Sequence, residues 1–310
     1  LAESPAKAGL LWAGTDDGKL WVTEDGGANW TDLTAGLPAP ARNQWINRVE
    51  ASAHHPAVAY LVVSAFRTGN YAPLVYRTAD RGRTWQSIAG DLPAGDPARV
   101  VREDPRNPDL LYAGTETSLW VSLNQGRNWV KFGGLPPVLV DDIRVHPRDH
   151  DLVIATHGRS VYIIDDLRAV QGFTASVIGS EAHLFDPRPA TGYYPLEGWA
   201  DWEGSSLFRG ANPPVGAILT YWVKEPMPDG VSFAIADSAG TPVANLKGQG
   251  FPGLNRVVWD LKPTPDLLIP YGGGGAKFVR PGTYTITFSA GGVSQTRKLA
   301  VTVAPGIETR

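Results

Sequence analysis

One eight-residue phrase returns three times along the chain and constrains its fold more than any other feature. Thr23-Glu24-Asp25-Gly26-Gly27-Ala28-Asn29-Trp30 is matched by Thr78-Ala79-Asp80-Arg81-Gly82-Arg83-Thr84-Trp85 and by Ser122-Leu123-Asn124-Gln125-Gly126-Arg127-Asn128-Trp129. A chain that repeats in this way stacks copies of one supersecondary unit, because a single copy cannot bury its own apolar face. The shared pattern is hydroxyl, any, Asp or Asn, any, Gly, any, any, Trp. It suits a strand-to-strand turn: the carboxylate or amide accepts from turn amides, Gly takes a positive φ, and Trp buries its indole between layers.

An apolar hairpin precedes each phrase. In the first unit it runs Leu10 to Thr15, turns at Asp16-Asp17-Gly18 and returns from Leu20 to Val22. In the third it runs Leu110 to Thr115, turns at Glu116-Thr117-Ser118 and returns from Leu119 to Val121. The second unit, Tyr60 to Ser64 and Leu74 to Tyr76, carries a longer turn from Ala65 to Pro73. A fourth copy, Leu152 to Thr156 and Val161 to Ile164, keeps Asp166 but loses the Gly and Trp, so it is degenerate. Leading strands are expected at Trp45 to Ala51, Arg99 to Glu103 and Val140 to Val145, with none before the first unit. The repeated tryptophans lie 55 residues apart, Trp30 to Trp85, and then 44, Trp85 to Trp129. The second spacing fits four-stranded propeller blades of roughly 40 to 50 residues, and the first fits once the longer turn from Ala65 to Pro73 is allowed. Propellers usually close with four to eight blades, since an open array leaves an uncovered apolar face. Upstream blades or a second chain are therefore expected to complete the ring.

The phrase resembles the Asp-box, or BNR repeat, of the glycosyl hydrolase, sialidase and sortilin-like β-propellers. From Ala217 onward, β-rich segments alternate with turn clusters, and Asn255-Arg256-Val257-Val258-Trp259-Asp260-Leu261 with Arg280-Pro281-Gly282-Thr283-Tyr284 resembles the immunoglobulin-like domain of bacterial secreted propellers and flagellar hook-capping proteins. Trp259 reads there as core, and Pro281-Gly282 as a turn feeding an edge strand. The expected fold is all-β: a partial Asp-box propeller of about four blades, the first incomplete, over 1–174, a packed connector over 175–212, and an immunoglobulin-like β-sandwich over 213–310.

Composition removes several functions. A formal charge of −3 gives no electrostatic case for nucleic acid. No apolar run is long enough to span a bilayer. With no cysteine there is no disulfide, thiolate metal site or thiol nucleophile. His54-His55-Pro56 and His146-Pro147 read as turn residues, with no third ligand at a useful spacing, so no metal site and no cofactor are expected. There is no Gly-rich phosphate loop and no Gly-x-Ser-x-Gly elbow.

In a four-stranded blade the Asp-box turn and the preceding hairpin turn open on opposite faces. The resemblance implies that ligands bind opposite the boxes, which leaves Asp25, Gly27, Trp30, Asp80, Gly82, Trp85, Asn124, Gly126 and Trp129 structural. The opposite face collects Trp45, Arg67, Tyr71, Glu116, His157 and Arg159 as ligand-binding candidates, and Asp16, Asp17, Asp141 and Asp142 as candidate catalytic carboxylates. Paired acids can protonate and attack a glycosidic bond, Arg can hold a carboxylate substituent, and aromatic rings can stack on sugars. The same residues also suit ordinary roles: Asp16-Asp17-Gly18 a plain hairpin turn, Asp141-Asp142 loop-amide acceptors, Arg159 an interblade ion pair.

The resemblance thus implies the C-terminal part of a secreted or periplasmic bacterial protein that binds or hydrolyses a glycan opposite the boxes. The Arg-Ile-Pro motif expected of a sialidase is missing, and the xyloglucanase-type enzymes draw two Asp from two propellers, so the fragment alone is expected to be inactive. The alternative is a non-catalytic interaction or assembly scaffold of the sortilin-like type. Fold analogy does not choose between them.

Overall fold

A computed structural model describes residues 1–194, 213–264, 277–307 and 309. They divide into two compact units, Leu1–Leu167 and Arg168–Arg310.

The first unit is a row of antiparallel sheets, each formed from consecutive strands. The first sheet holds β1 (Ala2–Glu3), β2 (Leu11–Gly14), β3 (Leu20–Thr23) and β4 (Thr31–Asp32). The second holds β5 (Trp45–Ala51), β6 (Ala59–Ser64), β7 (Leu74–Thr78) and β8 (Gln86–Ser87). The third holds β9 (Ala98–Glu103), β10 (Leu111–Thr115), β11 (Leu119–Ser122) and β12 (Val130–Lys131). The fourth holds β13 (Val140–Val145), β14 (Leu152–Thr156) and β15 (Val161–Ile164). These are propeller-type blades.

The leading strand that the sequence did not offer to the first blade is present. Ala2 and Glu3 pair with Trp12 and Leu11, so this blade has four strands. Two paired residues are too short a run to show any alternation. The fourth blade stops at three strands because Asp165-Asp166-Leu167 lacks the Gly and Trp that turn the chain back in the other blades.

Every box closes with the same bonds. The hydroxyl of Thr23, Thr78 or Ser122 donates to Asp25, Asp80 or Asn124 at 2.7, 2.8 and 3.0 Å. It also accepts the amide of Gly27, Gly82 or Gly126 at 3.1, 2.8 and 2.8 Å. The acidic or amide oxygen then takes the amide of Asn29, Thr84 or Asn128, at 2.9 Å in each case. A hydroxyl is required first because it is buried and must both donate and accept. These bonds hold the Asp25 carboxyl well below the usual carboxylate range, chiefly through the amide and side chain of Asn29.

The core lies between the blades. β6 is buried at every position, and successive side chains point to opposite faces. Leu61 and Val63 pack with Trp12, Leu20 and Val22 of the first blade, while Tyr60 and Val62 pack with Leu111, Ala113 and Trp129 of the third. Two of the box indoles lean on the preceding blade: Trp85 meets Trp12 edge-on at 6.3 Å, and the Trp129 Nε1 donates to the carbonyl of Ile88 at 2.8 Å. Trp30 departs from the expected burial and stays 38% exposed, because no blade in this structure precedes its own.

The second unit begins with two short helices, α1 (Arg168–Gln171) and α2 (Ala175–Gly179). Its strands are β16 (Ala182–Leu184), β17 (Ala190–Gly192), β18 (Ala217–Val223), β19 (Val231–Ala236), β20 (Pro242–Gly248), β21 (Gly253–Trp259), β22 (Gly282–Ala290) and β23 (Val293–Val303). They form two sheets, ordered β16-β18-β21 and β17-β23-β22-β19-β20, with β17 parallel to β23. Leu219, Tyr221 and Trp259 from one sheet share a core with Phe233, Ile286, Phe288 and Leu299 from the other. The segment read as a connector supplies α2 and the strands β16 and β17, and its residues 195–212 lie outside the described residues. Pro281-Gly282 leads into an interior strand rather than an edge: β22 pairs on both sides, with β19 and β23, and its alternate residues Tyr284, Ile286 and Phe288 enter the core.

Gly82 tests the interblade fit. It sits at φ +82°, and a Cβ there would lie 2.5 Å from the Leu33 Cδ1 and 2.9 Å from the Trp12 ring. Gly82→Ala is expected to destabilise the first unit by about 1–3 kcal/mol, read from the urea midpoint. Gly26→Ala, whose added Cβ meets nothing within 4 Å, carries only the cost of its own positive φ.

Candidate functional site

Antiparallel connectivity sends the box turns to one end of each blade and the hairpin turns to the other. Asp25, Asp80 and Asn124 are therefore remote from the hairpin-turn end, where segments joining the blades bond onto the turns. The Ile46 amide donates to Thr15 O at 3.0 Å, the Glu116 amide to Pro97 O at 3.1 Å, and the His157 amide to Leu139 O at 3.0 Å.

On the first blade, Asp16 and Asp17 are exposed in their turn. The Thr15 hydroxyl donates to Asp17, and this bond lowers the Asp17 carboxyl from its ordinary value. Gly18 is pressed against the backbone of Asn43 and Gln44, so the turn abuts the segment entering β5. On the second blade, the Arg67 guanidinium lies 4.3 Å from the centre of the Trp45 ring and covers one of its faces. Tyr71 is 56% exposed beside it in sequence.

Three of the expected ligand residues come together. Glu116, His157 and Arg159, with Thr117, Pro137, Val138 and Leu139, line a depression of about 320 Å³ between the third and fourth blades. Glu116 is gripped by Arg99 at 2.6 Å. The His157 Nδ1 lies 3.7 Å from Asp141. Arg159 donates to its neighbour Gly158 O at 3.1 Å and is otherwise exposed. Trp45, Arg67, Tyr71, Asp16 and Asp17 do not line this depression.

Asp142 has a different occupation. The innermost strands β5, β9 and β13 carry Glu50, Arg102 and Asp142, and Arg102 joins the three. Its Nη1 pairs with Glu50, its Nη2 reaches Asp142 at 2.6 Å, and its Nε donates to Ile143 O at 2.8 Å. Arg48 adds a contact to Asp142 at 3.2 Å. Burial pushes the Asp142 carboxyl up, but the bond and charge of Arg102 and the charge of Arg48 outweigh it and hold the group below its ordinary value. Burial raises the Glu50 carboxyl, and Arg102 offsets this only in part. A carboxylate held ionised in this way ties blades together and is poorly suited to donate a proton.

Sequence reasoning did not find Arg99, Arg102 or Glu50. Arg99 meets Glu116 within the third blade, whereas only the stacking of three blades brings Glu50, Arg102 and Asp142 together. The Pro136-Pro137 pair was the available signal for the depression wall, since it fixes the chain entering the fourth blade.

No family model matches the chain. It is 29% identical over 136 residues to a probable oligoxyloglucan-reducing end-specific xyloglucanase of Neosartorya fischeri, covering 44% of this chain and 16% of that protein. It is 25% identical over 244 residues to a xyloglucanase of Paenibacillus sp, covering 69% of this chain and 23% of that protein. The chain thus spans less than a quarter of the length of these relatives. Among solved structures, the GH74 xyloglucanase from Xanthomonas campestris aligns with a TM-score of 0.39 at 19% identity, covering 96% of this chain and 44% of that one. A structure of YCF48 bound to D1 peptide aligns with a TM-score of 0.43 at 14% identity, covering 96% of this chain and 81% of that one. The first unit is an array of Asp-box blades of the β-propeller kind. The chain is distantly similar to xyloglucanases.

The charges on the innermost strands set a pH signature. The folded Asp142 value lies below its ordinary 3.8, so its ionised form adds stability above 3.8 that is lost as pH falls through the lowered folded value. Asp142→Asn is expected to unfold at lower urea than the native chain at pH 7, with the gap closing below about pH 4 as the native carboxyl takes up its proton. Arg102→Met, which leaves Glu50 unpaired, is expected to cost about 3–5 kcal/mol at neutral pH in the same measurement.

Proposed function

We propose that the hairpin-turn end of the propeller unit binds a glycan, with the depression between the third and fourth blades as its principal contact. The observation that carries this reading is the convergence of Glu116, His157 and Arg159 on one concave surface opposite the boxes. A carboxylate, an imidazole and a guanidinium can together engage vicinal hydroxyls, and Pro137, Val138 and Leu139 offer an apolar wall to a sugar ring. The distant similarity to xyloglucanases supports a neutral β-glucan such as xyloglucan as the class to test.

Binding is favoured over hydrolysis in this chain. Two-carboxylate hydrolysis calls for one acid kept protonated near neutral pH beside a second carboxylate. Asp142 is held ionised by Arg102, and Glu116 is engaged by Arg99 at 2.6 Å. A polymeric glycan is met outside the cytoplasm, so a secreted or periplasmic location belongs to the same proposal.

The second unit is proposed to be immunoglobulin-like and to tether the protein to a partner or polysaccharide. Its strand order supports this, with a three-stranded sheet facing a five-stranded one. So does the Tyr284 hydroxyl, which donates to Arg280 O at 2.7 Å near the start of β22, a corner bond frequent in such sandwiches.

Affinity electrophoresis in gels containing xyloglucan, with calorimetry on xyloglucan oligosaccharides, tests the binding face. Retardation of the native chain is expected, and Arg159→Ala or Glu116→Gln should weaken binding about tenfold, equivalent to ~1.4 kcal/mol. Native mobility unaffected by any glycan, or variants that bind as the native chain does, would abandon the reading. Release of reducing ends by the native chain would restore hydrolysis in its place.

A further inference from the structure

Charge is unevenly balanced on the innermost strands. Arg48 of β5, Arg102 of β9 and Arg144 of β13 face two carboxylates, Glu50 and Asp142, so three positive charges against two negative leave one in excess. Glu50 is taken by Arg102, and all three guanidiniums turn to Asp142. Its Oδ1 is crowded: the Arg102 Nη2 at 2.6 Å, the Ile143 amide at 2.9 Å and the Arg48 Nη2 at 3.2 Å converge on it. Its Oδ2 lies 3.9 Å from the Arg144 Nε, beyond hydrogen-bond reach.

The donors are as unevenly satisfied as the charges. A guanidinium carries five N–H donors. Arg102 uses its Nε and both Nη groups on Ile143 O, Glu50 and Asp142. Arg48 keeps a buried Nε with no acceptor among the described residues, and its approach to Asp142 is to an oxygen already taken. Arg144, with its side chain 67% exposed, has the 3.9 Å contact as its closest acidic approach. Burial, and then the charges of Arg102 and Arg144, hold Arg48 below its ordinary value against the pull of Asp142 and Glu50. Like charges held close with unused donors are stabilised by an oxyanion, which neutralises the excess and fills the donors together.

We infer that Arg48 and Arg144, gathered around Asp142, form a binding site for a small oxyanion, a phosphate or carboxylate group whose oxygens supply the acceptors that Asp142 lacks. Asp142 itself shows that one such group can reach both guanidiniums, since its Oδ1 meets Arg48 while its Oδ2 faces Arg144. Arg102 holds the carboxylate in place and has no donor group left over for the guest. None of these residues lines the depression beside Glu116, so the inference and the glycan reading can fail separately.

The probe is inorganic phosphate titrated into the full chain at pH 7 by calorimetry, against potassium chloride of equal ionic strength. Saturable uptake is expected with phosphate and not with chloride. Arg144→Gln, at an exposed position, should weaken phosphate binding about tenfold, the usual worth of a bond to a charged group, and leave the urea midpoint in chloride unchanged. Asp142→Asn should tighten it by a similar factor, because the guanidiniums lose the carboxylate that competes for them. Glucuronate and glucose 6-phosphate as competitors separate a carboxylate from a phosphate ester as the group held. Heats in phosphate no larger than those in chloride would reduce the effect to ionic screening and overturn the inference. So would an Arg144→Gln chain that takes up phosphate as the native chain does.

Discussion

Burial of each blade on both of its faces is the constraint on which the first unit depends. β6 has no exposed residue because Leu61 and Val63 answer the first blade while Tyr60 and Val62 answer the third. No blade has a core of its own, so every one is stable only through its neighbours. The box turns follow from this requirement. Their buried hydroxyl, positive-φ glycine and indole hold each outer hairpin flat enough for the next blade to stack, and the Trp85–Trp12 contact shows one repeat reaching into another.

Stacking also determines where charge can be placed. The innermost strands run side by side, and Arg102 at 5% exposure is tolerable only because Glu50, Asp142 and Ile143 O satisfy its donors from two other strands. These bonds commit Asp142 to holding the innermost strands together. The depression beside Glu116, His157 and Arg159 is a product of the same geometry, since adjoining turns of successive blades converge where the joining segment passes between them.

Much of the architecture was legible from particular residues. The three boxes located the outer turns, and the hairpins at Leu11–Gly14 and Leu111–Thr115 fall where the apolar runs placed them. In the second unit the strands after Ala217 fall within the expected β-rich stretch, and β20, Pro242–Gly248, starts and ends on residues that are weak strand formers. Of the candidate site, the grouping of Glu116, His157 and Arg159 on one face was readable from turn positions. Their convergence in one depression, and the exclusion of Trp45 and Tyr71 from it, was not.

The sequence by itself determined the repeating unit: which residues turn, which alternate, and which end of each blade carries the hairpin turns, because these follow from local backbone preferences and a period of two. Tertiary structure alone decided which blades face which, that Arg102 bridges three strands, that Trp129 is covered while Trp30 is open, and that β22 lies inside its sheet. Contacts between residues some 40 to 50 positions apart depend on how sheets pack across space, and no local pattern in a strand records the identity of the surface it will meet.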